Sequence, residues 1–598
     1  MPPLPTESSN SSLLILTERI DDLPLLLSVI HQMQVDTLLD EHFPTHGNRQ
    51  GLSLGAVTSV WLSHILSQAN HKMSHVRPWA EARLFSLQHC VNESLSGLDL
   101  TDDRLADVLR YLSDDECWNC FEAGLNGQLL QVYQLDDILV RLDSTSASGY
   151  WGITEEGLFQ FGHSKDRRPD LPQLKVMMAT LDPLGTPIVT TPLPGNVADD
   201  PLYIPAVKQV RESLGPKAKG ALYVGDSKMA SLETRAHIAQ HQEFYLCPLP
   251  KVQMPDEQLE QYVRLVLSKE QHTTTLFKRD DEGRIELDKQ KKPLSIGEGF
   301  EVQESLEFEK DGQTISWEER RLVVYSNSWA TRKKAQLDEK IERVKKEIEA
   351  LNERGRGKRV FRTEWELREA VEEKLAQLPN ENLLTVSYNS GETVRHIRGY
   401  GGKPARKEKE SWAKVKVRKN GARIREHKRT MGWRVYVTNA PKEKLSLDVA
   451  IQKYRANHRI EGGFKRLKGQ PLSLTPVYLQ RDDHVKGLVR LLSIGLRVLQ
   501  SIEFKVRKGL RESKQELIGV YKGNPNRATT RPSAELLLKV FEEITLTRIQ
   551  QGETQQVHIT PINPAQQHII SLLGFSEAIY QTLDLTSARA SPNGTVKS

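Results

Sequence analysis

One stretch in the last third of the chain places an unusual set of chemical groups at helical spacing. At about 100° per residue, Tyr454, Glu461 and Lys468 lie seven residues apart and fall within roughly 40° of one another on a helix. His458 and Lys465 join this face, which combines an aromatic hydroxyl, a carboxylate and cationic or titratable groups. A solvated basic amphipathic helix with one acidic residue is the simpler interpretation, so the rest of the chain must decide.

Two aspartates, Asp143 and Asp226, each end an apolar stretch that is predicted to be a strand, at residues 138–145 and 221–226. A single Asp after a strand is more often a turn former than a ligand. Side chains at strand ends converge at one edge of an α/β sheet, so two such acids are a more specific signal. Between them runs the block Gly-His-Ser-Lys-Asp-Arg-Arg-Pro-Asp-Leu-Pro-Gln at 162–173.

These motifs together resemble the bacterial insertion-sequence transposases of the Asp-Asp-Glu class, in the 1634-like branch of the insertion-sequence 4 superfamily. The block at 162–173 is similar to the family's Gly-Tyr-Ser-Lys-Asp-x-Arg-Pro-Asp-Leu-x-Gln, with His163 in place of the usual Tyr. The stretch from Tyr454 is similar to the family's Tyr-x2-Arg-x3-Glu-x6-Lys signature, with Asn457 at the Arg position. The resemblance covers most of the chain and is strongest over 137–250 and 430–505.

The resemblance implies that Asp143, Asp226 and Glu461 are the catalytic residues and the metal ligands. They would hold two Mg²⁺ ions, with Mn²⁺ as a substitute, and Asp143 would bridge both. Phosphodiester cleavage needs these ions to activate the nucleophile and to neutralise charge on the leaving oxygen. The resemblance also implies a set of DNA-binding side chains, namely Tyr454, His458, Arg459, Lys465, Lys468, Lys165 and Arg168. Among these, His458 or Arg459 would replace the missing Arg.

The implied activity is that of a transposase. The protein would bind double-stranded DNA at the terminal inverted repeats of its element, hydrolyse phosphodiester bonds and join the freed 3′-hydroxyl ends to target DNA. It would act as a homodimer in the synaptic complex, in the bacterial cytoplasm at the nucleoid. Two alternatives stay open: a catalytically inactive or domesticated DNA-binding descendant, which Asn457 favours, and an RNase H-like nuclease. The large basic insertion favours the transposase over the nuclease.

An α/β fold must position these residues: an RNase H-like mixed-sheet catalytic core, an all-helical N-terminal domain and a large mixed α+β insertion containing a helical hairpin. In the core, residues 157–164 are predicted to form a second strand. Residues 175–191 are predicted to form a third strand, which is either long or broken. Helices and strands are predicted to alternate after it. The predicted organisation is a disordered segment at 1–12, the helical N-terminal domain for DNA-end binding or dimerisation at 13–136, the first part of the core at 137–250, the insertion at 251–445, the second part of the core at 446–510, C-terminal helices at 511–586 and a disordered tail at 587–598.

Within the insertion, Leu337, Ile341, Val344 and Ile348 repeat at spacings of four and three, and a second such pattern begins at Leu367. These patterns predict the antiparallel helical hairpin. The basic segment 403–429 is predicted to be a loop that contacts phosphates.

Charge is distributed unevenly along the chain. Residues 1–150 contain 8 Lys and Arg against 20 Asp and Glu, whereas residues 401–470 contain 21 against 6. A positive region of this density favours a polyanion, and the lack of an accompanying apolar face favours nucleic acid over a membrane. No apolar run approaches the roughly 18 residues that span a bilayer. Four cysteines indicate no disulfide framework, and the Cys117–Cys120 pair is interpreted as helix packing.

Overall fold

A computed structural model describes residues 13–47, 49–133, 137–150, 152–280, 283–355, 357–401, 404–551 and 554–584. The segments predicted to be disordered, 1–12 and 587–598, lie outside these residues. Within the described ranges, no helix is both long enough and apolar enough to cross a membrane.

The described residues form fourteen β-strands. In chain order they are β1 (Leu13–Arg19), β2 (Leu139–Ser148), β3 (Gln173–Leu181), β4 (Thr186–Pro194), β5 (Leu222–Val224), β6 (Phe244–Pro248), β7 (Thr274–Phe277), β8 (Ser295–Lys310), β9 (Gln313–Ser326), β10 (Leu384–Ile397), β11 (Arg406–Lys419), β12 (Trp433–Thr438), β13 (Thr545–Gln551) and β14 (Thr554–Ile559).

The same residues form nineteen α-helices. In chain order they are α1 (Leu23–Gln32), α2 (Val35–His42), α3 (Leu54–Gln68), α4 (Met73–Glu81), α5 (Leu84–Val91), α6 (Asp102–Leu112), α7 (Asp115–Tyr133), α8 (Tyr203–Leu214), α9 (Leu232–Gln240), α10 (Asp256–Leu267), α11 (Asn327–Ala350), α12 (Glu364–Leu375), α13 (Gly421–His427), α14 (Leu447–Arg455), α15 (His458–Lys468), α16 (Asp482–Ser513), α17 (Ala534–Lys539), α18 (Pro564–Leu572) and α19 (Ala578–Gln581).

The chain divides into two compact units. The first unit contains residues Met1–Leu246 and Lys453–Ser598, together with the short segment Phe308–Ile315. The second unit contains Cys247–Glu307 and Ser316–Gln452. The first unit is therefore built from stretches that are far apart in sequence.

A mixed sheet lies at the centre of the first unit, with its strands in the order β4-β3-β2-β5-β6. Strands β2, β3 and β4 pair antiparallel, whereas β5 pairs parallel to both β2 and β6. Strand β3 is buried at every position, as expected for a sheet covered on both faces. The predicted strand at 157–164 is wrong, since only an isolated bridge between Gln160 and Gln173 forms there. The predicted third strand is two strands, β3 and β4, which pair with each other.

Helices surround this sheet. The long helix α16 is buried along most of its length because Leu, Val and Ile recur on all sides of its middle turns. Helices α3 and α6 of the N-terminal region pack against it. Helix α15 packs against both β2 and α16. Sheet and helices together form a mixed α/β protein with a helical N-terminal region.

A second, smaller sheet of the first unit joins strands from distant parts of the sequence. Strand β1 pairs antiparallel with β13, which pairs with β14. The prediction of an all-helical N-terminal domain is therefore wrong at Leu13–Arg19, and the prediction of C-terminal helices is wrong at Thr545–Gln551 and Thr554–Ile559. Strand β1 is mostly exposed, so pairing with β13 rather than burial holds it in place.

The second unit contains the predicted helical hairpin and an unpredicted β-ribbon. Strands β12, β9, β8 and β7 lie side by side in that order. Helices α11 and α12 bury Leu337, Ile341, Val344 and Ile348 against Leu367 and its neighbours, which confirms the hairpin. The predicted basic loop at 403–429 is wrong in form, because from Arg406 it is strand β11 followed by α13. Lys403 itself lies outside the described residues.

The predicted single helix from Tyr454 to Lys468 is also two helices. Helix α14 ends at Arg455, and α15 begins at His458 with Asn457 at its N-cap. Tyr454 therefore lies on a different helix from Glu461 and Lys468, so the stripe inferred from continuous helical spacing does not exist as one helix face.

Candidate active site

Asp143 and Asp226 each lie two residues beyond the paired segment of two neighbouring strands. Strand β2 pairs in parallel with β5 so that Leu139 lies opposite Leu222 and Arg141 opposite Val224, an offset of 83 residues. Asp143 and Asp226 are separated by the same 83 positions. The prediction that Asp143 ends its strand is wrong, because Asp143 lies in the middle of β2. Asp226 follows the last residue of β5 by two positions.

Glu461 comes from the first turn of α15, the helix that packs on β2. Burial raises the pKa of Asp143 to about 6, and the charges of Asp226 and Glu461 add to this rise. The ammonium of Lys165 and a hydrogen bond from the Ser144 backbone N–H act in the opposite direction. The charges of the three predicted acids therefore interact at Asp143, where burial is the larger effect.

A lysine lies beside Asp143. The Lys165 ammonium donates hydrogen bonds to the Ser144 carbonyl and hydroxyl oxygens at 2.6 and 2.8 Å, and lies 3.9 Å from Asp143 Oδ1. It also lies 3.6 Å from Asp199 Oδ2. The block at 162–173 is thus connected to β2 through this side chain, and also through the Lys165 backbone N–H, which donates a 3.0 Å hydrogen bond to Ser146 Oγ.

Asp199 is a fourth acid near the site that sequence reasoning missed. It accepts hydrogen bonds from Lys175 Nζ at 2.8 Å and from Ser144 Oγ at 3.0 Å. Burial opposes its ionisation, but Lys175 and Lys165 outweigh burial and hold the pKa of Asp199 below its usual value. Because two cations and a hydroxyl already surround it, Asp199 acts as the counter-ion of this cluster.

Tyr203 is the second missed residue. Its hydroxyl donates a 2.7 Å hydrogen bond to Asp226 Oδ1, which also accepts from the Lys228 backbone N–H at 2.8 Å. Burial, and then the charge of Asp226, raise the pKa of Tyr203 well above its usual value, so the hydroxyl stays a donor. The signal that could have found Tyr203 is its position at the start of the helix that follows the paired acids Asp199-Asp200.

A buried guanidinium connects β2 to the start of α15. Arg141, with 1% of its side chain exposed, lies two residues before Asp143 and donates to both carboxylate oxygens of Asp182, at 3.0 and 2.7 Å. Its remaining arm donates to Asn457 Oδ1 at 2.8 Å. Arg459 Nη1 lies 3.0 Å from the same Asp182. Asn457 makes no side-chain cap on α15, although capping is the usual role of Asn at this position.

This network gives Asn457 a structural role. Asn457 stands where the signature that the sequence resembles has an Arg. Its side-chain oxygen accepts a hydrogen bond from Arg141, which lies on strand β2. Arg141 is on the strand of Asp143, and Asn457 precedes Glu461 by four residues on α15. The network therefore fixes the backbone positions of two of the three predicted acids relative to each other.

The predicted DNA-binding residues fall into two groups. Lys468 forms an ion pair with Asp166, and Arg168 pairs with Asp170 at 2.7 Å, so both cations are held by acids of the block at 162–173. Lys465 and His458 are exposed on α15, and Tyr454 is half-buried on α14. Arg459 is directed to Asp182 and Lys165 to Asp143 and Asp199, as described above.

The donor set suits a hard divalent cation. Three carboxylates supply the oxygen ligands that Mg²⁺ prefers. Burial first, and then the charges of Asp226 and Glu461, raise the pKa of Asp143, and a bound cation would favour its ionised form. Among the described residues, however, no three Asp, Glu, His or Cys side chains are placed closely enough to enclose an ion. The chemistry of the residues fits the metal, and in this structure their side chains stand apart.

Comparison with known proteins places this site within a family. No curated protein matches the chain. A piggyBac transposase, solved as a synaptic complex with hairpin DNA, is 11% identical, with 43% of this chain and 56% of that chain covered and a TM-score of 0.23. The chain thus spans about half the length of that protein, and a TM-score this low supports no argument about shared geometry. The model of the transposase DDE domain matches residues 129–496, more than half of the chain and the whole span from Asp143 to Glu461. The chain belongs to the transposase DDE domain family.

Proposed function

We propose that this protein is an active DNA transposase of a bacterial insertion sequence, in the 1634-like branch of the insertion-sequence 4 superfamily. It binds the terminal inverted repeats of its element, hydrolyses phosphodiester bonds there and joins the freed 3′-hydroxyl ends to target DNA, as a homodimer in the synaptic complex. The observation that supports this most directly is the parallel pairing of β2 with β5 within the matched domain, because Asp143 and Asp226 each lie two residues beyond the last paired residues, Arg141 and Val224.

Asp143, Asp226 and Glu461 are proposed as the catalytic metal ligands. Bound by these carboxylates, Mg²⁺, or Mn²⁺ as a substitute, would supply activation of the attacking hydroxyl and neutralisation of charge on the leaving oxygen. The chain's own residues prepare the ligands. Lys165 favours the ionised form of Asp143, and the Tyr203 hydroxyl fixes one oxygen of Asp226 so that the other is left to face the site.

The remaining cations are proposed to hold DNA. Lys468 and Arg168 are already paired with acids, so a DNA phosphate would have to compete with Asp166 and Asp170 for them. Exposed Lys465 and His458, with Tyr454, would contact the end nucleotides, and Arg459 would act through Asp182 on the start of α15.

The test is cleavage of a duplex that carries the element's own end, with Mg²⁺ or Mn²⁺. Asp143→Asn and Glu461→Gln should each reduce nicking by about 10³-fold while binding of the duplex is retained, because a lost ligand removes several kcal/mol of transition-state stabilisation. Glu512→Gln, an acid on α16 that pairs with Lys508, is the matched control and should nick normally.

Three results would contradict the proposal. A wild-type protein that binds the end specifically but does not nick it in either ion is a catalytically inactive or domesticated descendant. Nicking of branched DNA or of an RNA–DNA hybrid without dependence on the end is an RNase H-like nuclease activity. Nicking that survives both substitutions removes these carboxylates from the chemistry.

A further inference from the structure

The second unit carries a long two-stranded ribbon with two chemically different faces. Strands β10 and β11 pair antiparallel without a break from Leu384–Lys419 to Ile397–Arg406. At about 3.3 Å per residue, this ribbon is roughly 45 Å long. Side chains alternate between its faces, so each face is set by every second residue.

One face of the ribbon is built into the unit. Ala413, Val415 and Val417 are buried in the cluster that contains the hairpin residues of α11 and α12. Asn352, after the end of α11, exchanges hydrogen bonds of 2.8 and 2.7 Å with the Val415 backbone. The base of the ribbon is therefore held by both packing and backbone hydrogen bonds, and its position is fixed before any partner binds.

The opposite face is cationic. Lys414, Lys416 and Arg418 alternate with the buried residues and are exposed. The register places them opposite Asn389, Ser387 and Thr385, respectively. We name these six residues the outer ribbon face. Within the part of the chain that the structure describes, none of its three cations forms an ion pair.

Two comparisons distinguish these three cations from other charged residues of β11. Lys419, on the packed side of the same strand, pairs with Glu342 of α11. Towards the ribbon tip, Glu408 and Glu410 take the alternate positions that continue the outer face, and Glu408 pairs with Arg406 at 2.5 Å. On the outer face, the stretch of cations without interleaved carboxylates is therefore the base half of the ribbon.

We propose that the outer ribbon face docks into the major groove of double-stranded DNA. The major groove is wide enough for a two-stranded ribbon. Alternate residues of a strand advance about 6.6 Å, close to two base-pair steps, so successive cations can meet phosphates along the groove. Asn, Ser and Thr, the residue types facing them on β10, are side chains that hydrogen-bond to base edges. The proposal rests on the proposed function for the identity of the polyanion as DNA.

The experiment measures binding of the full-length protein to a random-sequence duplex of about three helical turns, without divalent ions, over a range of salt concentrations. The test variant combines Lys414→Gln, Lys416→Gln and Arg418→Gln. Because each lost phosphate contact reduces the salt dependence by about 0.9, the slope of log K against log salt should become less steep by about 2 to 3. Affinity at low salt should fall at least about tenfold.

A matched control removes the same charge elsewhere in the second unit. Arg343, Lys345 and Lys374 each pair with a carboxylate of their own helix, and all three are changed to Gln. This control should leave the slope within about 0.5 of the wild type. Ser387→Lys adds a cation to the outer ribbon face and should make the slope steeper by about 0.9. Unchanged thermal unfolding shows that the variants are folded.

Equal losses in the test and control variants would show a general effect of net charge and overturn the proposal. An unchanged slope in the test variant, or stronger binding of the matching single strand than of the duplex, would also overturn it. Each of these results is compatible with end nicking by the wild type, so they are distinguishable from failure of the proposed transposase activity. A wild-type protein that binds no duplex would overturn both.

Discussion

The acidic site of the first unit and the outer ribbon face of the second unit organise charge in opposite ways. Around Asp143, charged groups are buried or half-buried and positioned by other charges. Lys165 lies beside both Asp143 and Asp199, and Asp199 pairs with Lys175. Arg141 and Asp182 connect the strand of Asp143 to α15. On the ribbon, Lys414, Lys416 and Arg418 are positioned by the packing of apolar residues on the opposite face. Charge at the first site is therefore coupled to folding stability, whereas charge on the ribbon is free to serve binding alone.

The largest effect is expected at the guanidinium that joins β2 to α15. Arg141→Met should lower the free energy of unfolding by about 3 kcal/mol, because it leaves Asp182 buried with one of its two cations and leaves Asn457 Oδ1 without its donor. Urea unfolding measures this decrease in the free energy of unfolding. The nicking rate of Arg141→Met should also fall, because Glu461 is no longer aligned with Asp143.

Asn457→Ala is the control for this variant. It removes only one acceptor of the Arg141 guanidinium, so a loss of about 1 kcal/mol is expected. If Arg141→Met cost no more than Asn457→Ala, the network would not hold the two elements, and the contrast with the ribbon would lose its structural basis.

A smaller effect, with the opposite sign, is expected at Asp143. Its pKa of about 6 in the folded protein exceeds the value of about 3.9 in an unfolded chain. The folded protein therefore holds the Asp143 proton more tightly than the unfolded chain does. The stability that comes from this group is fully present below about pH 4 and is lost as the pH rises through about 6. Asp143→Asn lacks this charge, so without divalent ions it should be more stable than the wild type by about 2 to 3 kcal/mol at pH 8 and equally stable near pH 4.

Thermal unfolding at the two pH values, with a chelator present, measures this difference. Added Mg²⁺ should raise the unfolding temperature of the wild type at pH 8 but not that of Asp143→Asn, since a ligand stabilises only the state that binds it. A wild type that is the more stable protein at pH 8 without metal would show that the acid is well solvated, against the burial described for it.

The smallest effect is expected on the ribbon. Lys416→Gln should change the free energy of unfolding by less than about 0.5 kcal/mol, because the side chain is exposed and supports no neighbour. Urea unfolding checks this at both low and high salt. Val415→Ala, the adjacent buried position, should cost at least about 1 kcal/mol, and similar losses for the two substitutions would remove the distinction between the two faces.

The parts of the fold that follow local patterns were predictable from the sequence. The apolar and helical patterns predicted strands near Asp143 and Asp226, the alternation of helix and strand after residue 191, and the hairpin of α11 and α12. The predicted boundary at Asp143 was wrong because the polar continuation Ser144–Ser148 is held in β2 by pairing with β3, which no local pattern reveals. Pairing of β1 with β13 was equally invisible, since the partners lie more than 500 residues apart.

Two errors had signals that could have corrected them. The sequence Ala413-Lys-Val-Lys-Val-Arg418 alternates strictly between apolar and cationic residues, which is the pattern of a half-buried strand, although the density of charge there suggested a loop. Asn457, in the middle of the presumed helix, is a residue type favoured at helix starts, and α15 begins after it. The roles of Arg141, Asp182 and Asp199 could not be predicted, because they depend on contacts between elements.

The discontinuity of the first unit has a consequence for how the protein is made. A ribosome adds Glu461 only after the 317 residues that separate it from Asp143, and β13, the partner of β1, follows later still. At roughly 5–20 residues per second, the nascent chain spends tens of seconds with Asp143 and Asp226 synthesised and their third carboxylate absent. Premature termination anywhere in that interval yields a chain that lacks Glu461. The three carboxylates can therefore come together only after translation has passed Glu461.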